Sequence, residues 1–264
     1  MQSKYAWLFD VDGVLTNPQK KKVPTLLLTK LSALIDSGQI VAFVTGRSFA
    51  WTKERVVDRL NIKKPENVFV SAEKGGVWAY FSNGEWVVVV DYKIAVPRSF
   101  LSKATKLVTE KFQGTMFMDP KQTLISVEIR DGTPLGKFRS QQRKLDECLE
   151  EYIVANKLEN ELEIDSADIA TDVESKLAGK RLGAQRVFNW LENQGSILDS
   201  FFVFGDRPGD VDIAKVVFEK GKKVEFVFTG NKNLLSDEKL PFPIKIYDAQ
   251  YEKGTLAYLT RISI

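Results

Sequence analysis

The stretch YAWLFDVDGVLTNPQ, residues 5–19, decides how this chain is read. Ala6–Phe9 are apolar without alternation, the pattern of a short strand covered on both faces. Asp10 and Asp12 follow at once, one residue apart. A buried strand gains nothing from two acids at its tip, so a cation or a chemical step is expected there. Working outward, the spacing predicts a helix over Thr25–Asp36 closed by Gly38, a strand over Ile40–Val44, a helix over 49–60 and a strand over 68–70. This βαβαβ order implies a parallel sheet.

The same pattern returns late in the chain, with a helix over 180–191, a strand over 201–204, a helix over Val211–Glu219, a strand over 224–228 and a last short strand over 244–247. The region between reads differently. Residues 76–90 form a hairpin about Ser82-Asn83-Gly84. A helix carrying Phe100, Ala104, Leu107, Val108 and Phe112 follows, then an alternating strand over 123–129 and a second helix over 138–153. The expectation is an α/β fold interrupted by an α+β module, with a core of residues 1–92 and 176–264 and an insertion of 93–175. Cys148 shares a helix face with Phe138, Leu145 and Tyr152 and reads as a buried structural thiol.

Composition narrows the chemistry. The chain has 264 residues, 44% hydrophobic, enough for a real core, and its 38 basic residues nearly balance 35 acidic ones. With no clustered basic stripe, no nucleic-acid partner is expected. One cysteine excludes an internal disulfide and a cysteine-based metal site, which suits a reducing interior. There is no histidine, so histidine triads, His-ligated zinc and imidazole acid-base catalysis are excluded. The start, MQSKYAWLFD, lacks the features of a secretory signal, and the longest aliphatic run, residues 87–90, is too short to span a bilayer. A soluble, cytoplasmic protein without membrane contact is expected. Lys20-Lys21-Lys22 reads as a solvated loop.

In an open parallel sheet, ligands bind beyond the carboxyl ends of the strands. Three strands here end in polar groups: Asp10-Val-Asp12-Gly13, Thr45-Gly46-Arg47, and Gly205-Asp206 with Asp210 beyond it. Crowded carboxylates repel unless a cation lies between them, and an all-oxygen shell suits Mg2+ better than zinc.

Taken together in this order, FDVDGVLT, VTGR, a lysine before a helix, and FGDRPGD resemble the four motifs of the haloacid dehalogenase superfamily. The resemblance covers the two outer thirds of the chain. It implies a Rossmann-like core and an aspartyl-phosphate mechanism. Asp10 would be the nucleophile and Asp12 the general acid and base. Thr45, Gly46 and Lys180 would hold phosphate, Lys180 being chosen over Lys176. Mg2+ would lie between Asp10, the Asp12 carbonyl, Asp206 and Asp210, the last as ligand or in support. Arg47 is either a substrate contact or a cap for the next helix. Gly209 stands where many relatives carry Asn or Thr.

The insertion's position resembles the C2-type cap of trehalose-phosphate and sucrose-phosphate phosphatases and of phosphomannomutases. SAEKGGVW, with Lys74, falls where relatives carry Glu-Asn-Gly or Glu-His-Gly. The expected substrate is therefore a phosphorylated sugar. Along QTLISVEIR the strand period places Ile125, Val127 and Ile129 on one face, and Ser126, Glu128 and Arg130 on the other. Glu128, Arg130 and Lys121 are then candidates for sugar hydroxyls. The alternatives are a phosphomannomutase-like phosphomutase and a non-catalytic phosphosugar-binding protein. Oligomeric state is not readable.

Overall fold

The computed structural model of the chain describes residues 4–17, 22–196, 198–235 and 239–262. Its strands are β1 (Ala6–Phe9), β2 (Ile40–Val44), β3 (Val68–Ala72), β4 (Val77–Ser82), β5 (Glu85–Val90), β6 (Met116–Asp119), β7 (Ile125–Ile129), β8 (Leu162–Ser166), β9 (Ala170–Ser175), β10 (Ser200–Gly205), β11 (Lys223–Phe228) and β12 (Ile244–Ile246). Eight of them form one sheet in the order β12-β11-β10-β1-β2-β3-β4-β5. The pairings from β12 across to β3 are parallel, and β3–β4 is antiparallel. Asn83 and Gly84 join β4 to β5, both left-handed at φ 52° and 87°, the conformation that a two-residue hairpin turn requires.

The helices are α1 (Thr25–Asp36), α2 (Phe49–Arg55), α3 (Arg98–Leu107), α4 (Leu135–Ala155), α5 (Lys180–Asn193), α6 (Val211–Glu219) and α7 (Glu252–Arg261). Every residue of β1 is buried, which accounts for its unbroken apolar run. Ala6 and Leu8 join the cluster built by α5 and α6. Trp7 points to the other face, where it stacks on Phe202 at 4.2 Å and meets Tyr258 of α7 edge-on. Phe9 stacks on Phe204 at 4.5 Å. β1 is thus clamped between two layers, and removing Phe9's ring would cost about 3–5 kcal/mol.

The chain divides into two compact units, residues 1–89 with 179–264, and residues 90–178. The first is the parallel-sheet core. The second is an antiparallel sheet, β6-β7-β9-β8, backed on one face by α3 and α4. Ile125, Val127 and Val173 meet Phe100, Phe138 and Leu145 there, with Leu107 and Ile129 packed alongside. The α/β core with an inserted α+β unit is the architecture expected.

Details differ. α2 stops at Arg55, because the β-branched pair Val56-Val57 turns into a short 3-10 segment. Cys148 is half-buried rather than buried; the core face of α4 runs through Phe138, Leu145, Leu149 and Ile153. β6, β8, β9 and α7 carry too weak a periodicity to be read in advance. Lys20 and Lys21 lie outside the described residues, and Lys22 is exposed. Among the described residues no helix is long and apolar enough to cross a membrane.

Candidate active site

β1 lies between β10 and β2, so the polar residues that follow these three strands meet at one edge of the sheet. The Asp10 N–H donates to the Phe204 carbonyl at 3.0 Å, which carries β1's pairing one residue past its end. The chain then turns tightly, with the Leu15 and Thr16 N–H groups on the Val11 carbonyl. Gly13 sits in that turn at φ 76°, and a Cβ there would stand 2.1 Å from Asp206 Oδ2. Glycine is what lets the Asp206 carboxylate approach.

One carboxylate oxygen from each of Asp10, Asp206 and Asp210 lies within 4.8 Å of the other two, and all three residues are buried. Lys180, the first residue of α5, reaches into them. Its Nζ is 2.6 Å from Asp10 Oδ1 and 2.9 Å from Asp210 Oδ1, and it donates to the Val44 carbonyl at 2.9 Å. Asp210 is otherwise occupied in holding its own turn, where Oδ2 accepts the N–H groups of Asp206 and Arg207, each at 3.0 Å. Asp206 Oδ1 is buried without a hydrogen-bond partner among the described residues. An orphaned carboxylate oxygen beside two more acids is a poor structural element and a good cation ligand. The donor set, all oxygen, fits a hard divalent ion.

The electrostatics agree with that fit. Burial, reinforced by Asp210, lifts the Asp206 carboxyl to about 7. Burial also drives Asp10 well above the usual carboxylate range; Lys180 opposes this and the other two acids add to it. Burial would by itself lower the Lys180 ammonium, but Asp10 and Asp210 outweigh it and hold it above its ordinary value. Lys180 is thus firmly charged among these acids, and Arg207 joins it in opposing the rise at Asp206.

At the end of β2, the Thr45 N–H donates to the Ser71 carbonyl at 2.9 Å. Its Oγ1 accepts the Arg47 N–H at 3.1 Å, which leaves the hydroxyl proton for another acceptor. Arg47 turns back across the sheet edge and grips Asp12 with two donors, Nε to Oδ2 at 2.8 Å and Nη2 to Oδ1 at 3.2 Å, with its guanidinium over the Trp51 ring. The cap of α2 is Ser48 instead, which accepts the Trp51 N–H.

Residues 7–229 match the haloacid dehalogenase-like hydrolases. The chain belongs to this family. No curated protein matches it in sequence. Among solved structures it is similar in fold to the C-terminal domain of C. albicans trehalose-6-phosphate phosphatase, at 18% identity and TM-score 0.68, covering 97% of this chain and 91% of that one. It is also similar to a haloacid dehalogenase-like hydrolase from Bacteroides thetaiotaomicron, at 14% identity and TM-score 0.66, covering 99% and 100%. The trehalose-6-phosphate phosphatase of Aspergillus fumigatus aligns at 18% identity and TM-score 0.54, over 97% and 91%.

Three further candidates lie in this hydrolase's inserted unit. Glu128 is buried in β7, opposite Phe117 and Ala170. Lys121 has a side chain only 4% exposed, 3.5 Å from Asp119 Oδ2. Arg130 is exposed just past β7, where its N–H donates to the Thr115 carbonyl and its guanidinium lies 3.4 Å from the Met116 carbonyl. Lys176 also belongs to this unit and is exposed.

Thr229 supports the candidate site from the hydrolase core, and sequence reasoning passed over it. Buried just past β11, it donates to the Gly13 carbonyl at 3.0 Å, with the Gly205 carbonyl at 3.3 Å, and so links the turns that carry Asp12 and Asp206. A signal was present, since Val227-Phe-Thr-Gly230 ends an apolar strand in Thr-Gly as Phe43-Val-Thr-Gly46 does.

Proposed function

We propose that this hydrolase is a Mg2+-dependent phosphatase that acts on a phosphorylated sugar through an aspartyl-phosphate on Asp10. The observation that carries this is the buried trio Asp10, Asp206 and Asp210, in which Lys180 bridges Asp10 and Asp210 while one Asp206 oxygen has no partner among the described residues. Asp10 and Asp206, with the Asp12 carbonyl, would hold the ion, and Asp210 would keep Asp206 and Lys180 in place. Bound there, Mg2+ supplies the positive charge that lets an anionic nucleophile meet an anionic ester.

The chain's own groups do the rest. An Asp10 oxygen forms a bond to phosphorus as the bond from phosphorus to the sugar oxygen breaks, and Asp12 delivers a proton to that oxygen. Asp12 then takes a proton from the water that hydrolyses the aspartyl-phosphate. Arg47 orients Asp12 in its ionised form, the one that takes the proton from water, through its two-donor grip. Thr45 and Gly46 offer a hydroxyl and a close backbone to the phosphate oxygens. The likeness to trehalose-6-phosphate phosphatases supports a sugar phosphate, and the single half-buried thiol suits a reducing cytoplasm.

The test is a panel of phosphorylated sugars and other metabolites, with inorganic phosphate and isomer formation both followed, with and without chelator. Phosphate release that needs Mg2+ is expected. Undiminished turnover in excess chelator removes the metal from the proposal. Isomer formed in place of phosphate, dependent on an added sugar bisphosphate, replaces the hydrolase with a mutase.

A further inference from the structure

A threonine inside a helix commonly satisfies its hydroxyl on the carbonyl one turn back. Thr260 of α7 does so, donating to the Leu256 carbonyl at 2.8 Å. Thr255, buried in the same helix, does not. Its Oγ1 donates at 2.7 Å to the carbonyl of Val14, 241 residues away in sequence. A second buried threonine serves the residue before, since Thr229 Oγ1 donates to the Gly13 carbonyl at 3.0 Å. Two hydroxyls from late in the chain thus take two successive carbonyls of the turn that carries Asp12.

Within that turn the Val11 carbonyl accepts the N–H groups of Val14, Leu15 and Thr16, and the Thr16 carbonyl accepts that of Gly13. Of the carbonyls from Val11 to Val14, that of Asp12 accepts none of these hydrogen bonds. Because the Gly13 N–H is committed to Thr16, the Asp12 carbonyl of the same trans peptide points the opposite way. The next peptide, beyond the left-handed Gly13, is fixed by Thr229, and the one after it by Thr255.

The two threonines are also locked to each other. Tyr251, left-handed at φ 57°, donates its N–H to the Thr229 carbonyl at 2.6 Å and accepts the Thr255 N–H at 3.2 Å. Such a conformation is costly for a residue with a Cβ and persists where the surroundings fix it. Gly254 lets the start of α7 close in, since a Cβ there would stand 2.5 Å from the Ala249 carbonyl oxygen and 3.5 Å from Thr229 Cγ2. On the other side Gly230 lies against the Asp206 backbone, where a Cβ would stand 1.9 Å from the carbonyl oxygen.

We infer that Thr229 and Thr255 are positioning residues of the metal site: their hydroxyls hold the Gly13 and Val14 carbonyls and so fix the turn whose remaining carbonyl, that of Asp12, takes the ion. This assignment rests on the phosphatase reading with Mg2+ beside Asp10 and Asp206. It gives α7 a share in setting the affinity for the metal.

Calorimetric titration of Mg2+ into the whole protein tests it, with Thr255→Val, Thr229→Val, Thr255→Ser and Leu259→Val beside the wild type. Each valine variant drops a hydroxyl and should weaken Mg2+ binding about 10- to 100-fold, the usual loss when a group supporting a metal ligand is removed. The Mg2+ concentration that half-saturates aryl phosphate turnover should rise by the same factor. Thr255→Ser keeps the donor and should recover most of the affinity. Leu259, buried one turn further along α7, controls for loosened packing: Leu259→Val should melt lower yet bind Mg2+ within about twofold of the wild type. The assignment is overturned if either valine variant binds Mg2+ as the wild type does, if Thr255→Ser is as weak as Thr255→Val, or if Leu259→Val weakens binding as much as they do. Asp206→Asn, titrated alongside, separates the two readings. If it binds Mg2+ as well as the wild type, or the wild type binds none, the metal reading falls and the positioning role with it. If Asp206→Asn loses the ion and the valine variants keep it, only the positioning role falls.

Discussion

Each of the two units holds a trio of carboxylates that can bring one oxygen apiece within 4.8 Å of one another: Asp10, Asp206 and Asp210 in the core, and Asp165, Asp172 and Glu174 in the insertion. Their settings differ. The core trio is buried and follows the ends of two strands, β1 and β10, with Lys180 bridging Asp10 and Asp210. The other lies across two neighbouring antiparallel strands, where Asp165 faces Asp172 in register, Asp165 is exposed, and Ser126 donates to Asp172. Proximity of acids therefore does not define a site. Burial, an ammonium clasp and an orphaned oxygen do, because together they make negative charge expensive to leave without a cation.

The sharpest way to break this contrast is to neutralise one member of each trio. Asp10→Asn should reduce aryl phosphate turnover to background, since it removes the proposed nucleophile, whereas Asp165→Asn should leave it near the wild-type rate. Comparable losses in both would end the distinction. Next in size is the clasp. Lys180→Ala should slow turnover about 10²- to 10³-fold, and it leaves buried acids without their partner, a loss of about 3–5 kcal/mol. Lys176→Ala should change the rate less than about twofold and stability by under 0.5 kcal/mol, as usual for an exposed position. Steady-state rates and denaturant melts of the two variants, side by side, decide it.

A third experiment uses pH. The folded-state value for Asp206, about 7, lies above its ordinary 3.8, so between these limits the folded chain keeps a proton that the unfolded chain has released. Stability of the chelated protein should fall as pH rises through that window, and the part due to Asp206 should vanish in Asp206→Asn. Metal competes with that proton, so added Mg2+ should raise the melting temperature more at pH 8 than at pH 5. An equal rise at both would mean that Asp206 is not a ligand. The smallest expected effect is in the insertion. Glu128→Ala should raise KM for a sugar phosphate roughly 3- to 30-fold and leave a small aryl phosphate nearly unchanged. A loss shared by both substrates, or by neither, would show that this strand does not read the sugar.

The same contrast explains what could be read from the chain in advance. In the core, strands covered on both faces give unbroken apolar runs, so β1 and β2 appear in the sequence with their observed bounds, and the acids stand out because they interrupt such runs. The insertion's β9, Ala-Thr-Asp-Val-Glu-Ser, has a single strongly apolar residue, Val173, and β8 alternates over only five residues; neither carries enough signal. α7 hides behind Gly254, a poor helix former kept because a Cβ there would meet the Ala249 carbonyl at 2.5 Å. Around the site, spacing places Lys180 ahead of a helix but cannot show that one of its donors goes to the Val44 carbonyl. The left-handed run of Glu73, Lys74 and Gly75, at φ 49°, 54° and 92°, is also invisible, because only one of its three residues is glycine.

The central position of β1 has a further consequence for how the chain is made. Its two neighbours are β2, which emerges soon after it, and β10, which lies beyond the whole insertion. At ordinary translation rates the ribosome needs on the order of ten seconds to reach the second of these. For that interval a nascent sheet ending in β1 would expose one complete row of unpaired backbone groups, flanked by Trp7 and Phe9, which is the template on which chains pair wrongly with one another. Anything that lengthens that interval, slow synthesis of the inserted segment included, should appear first as aggregation during synthesis.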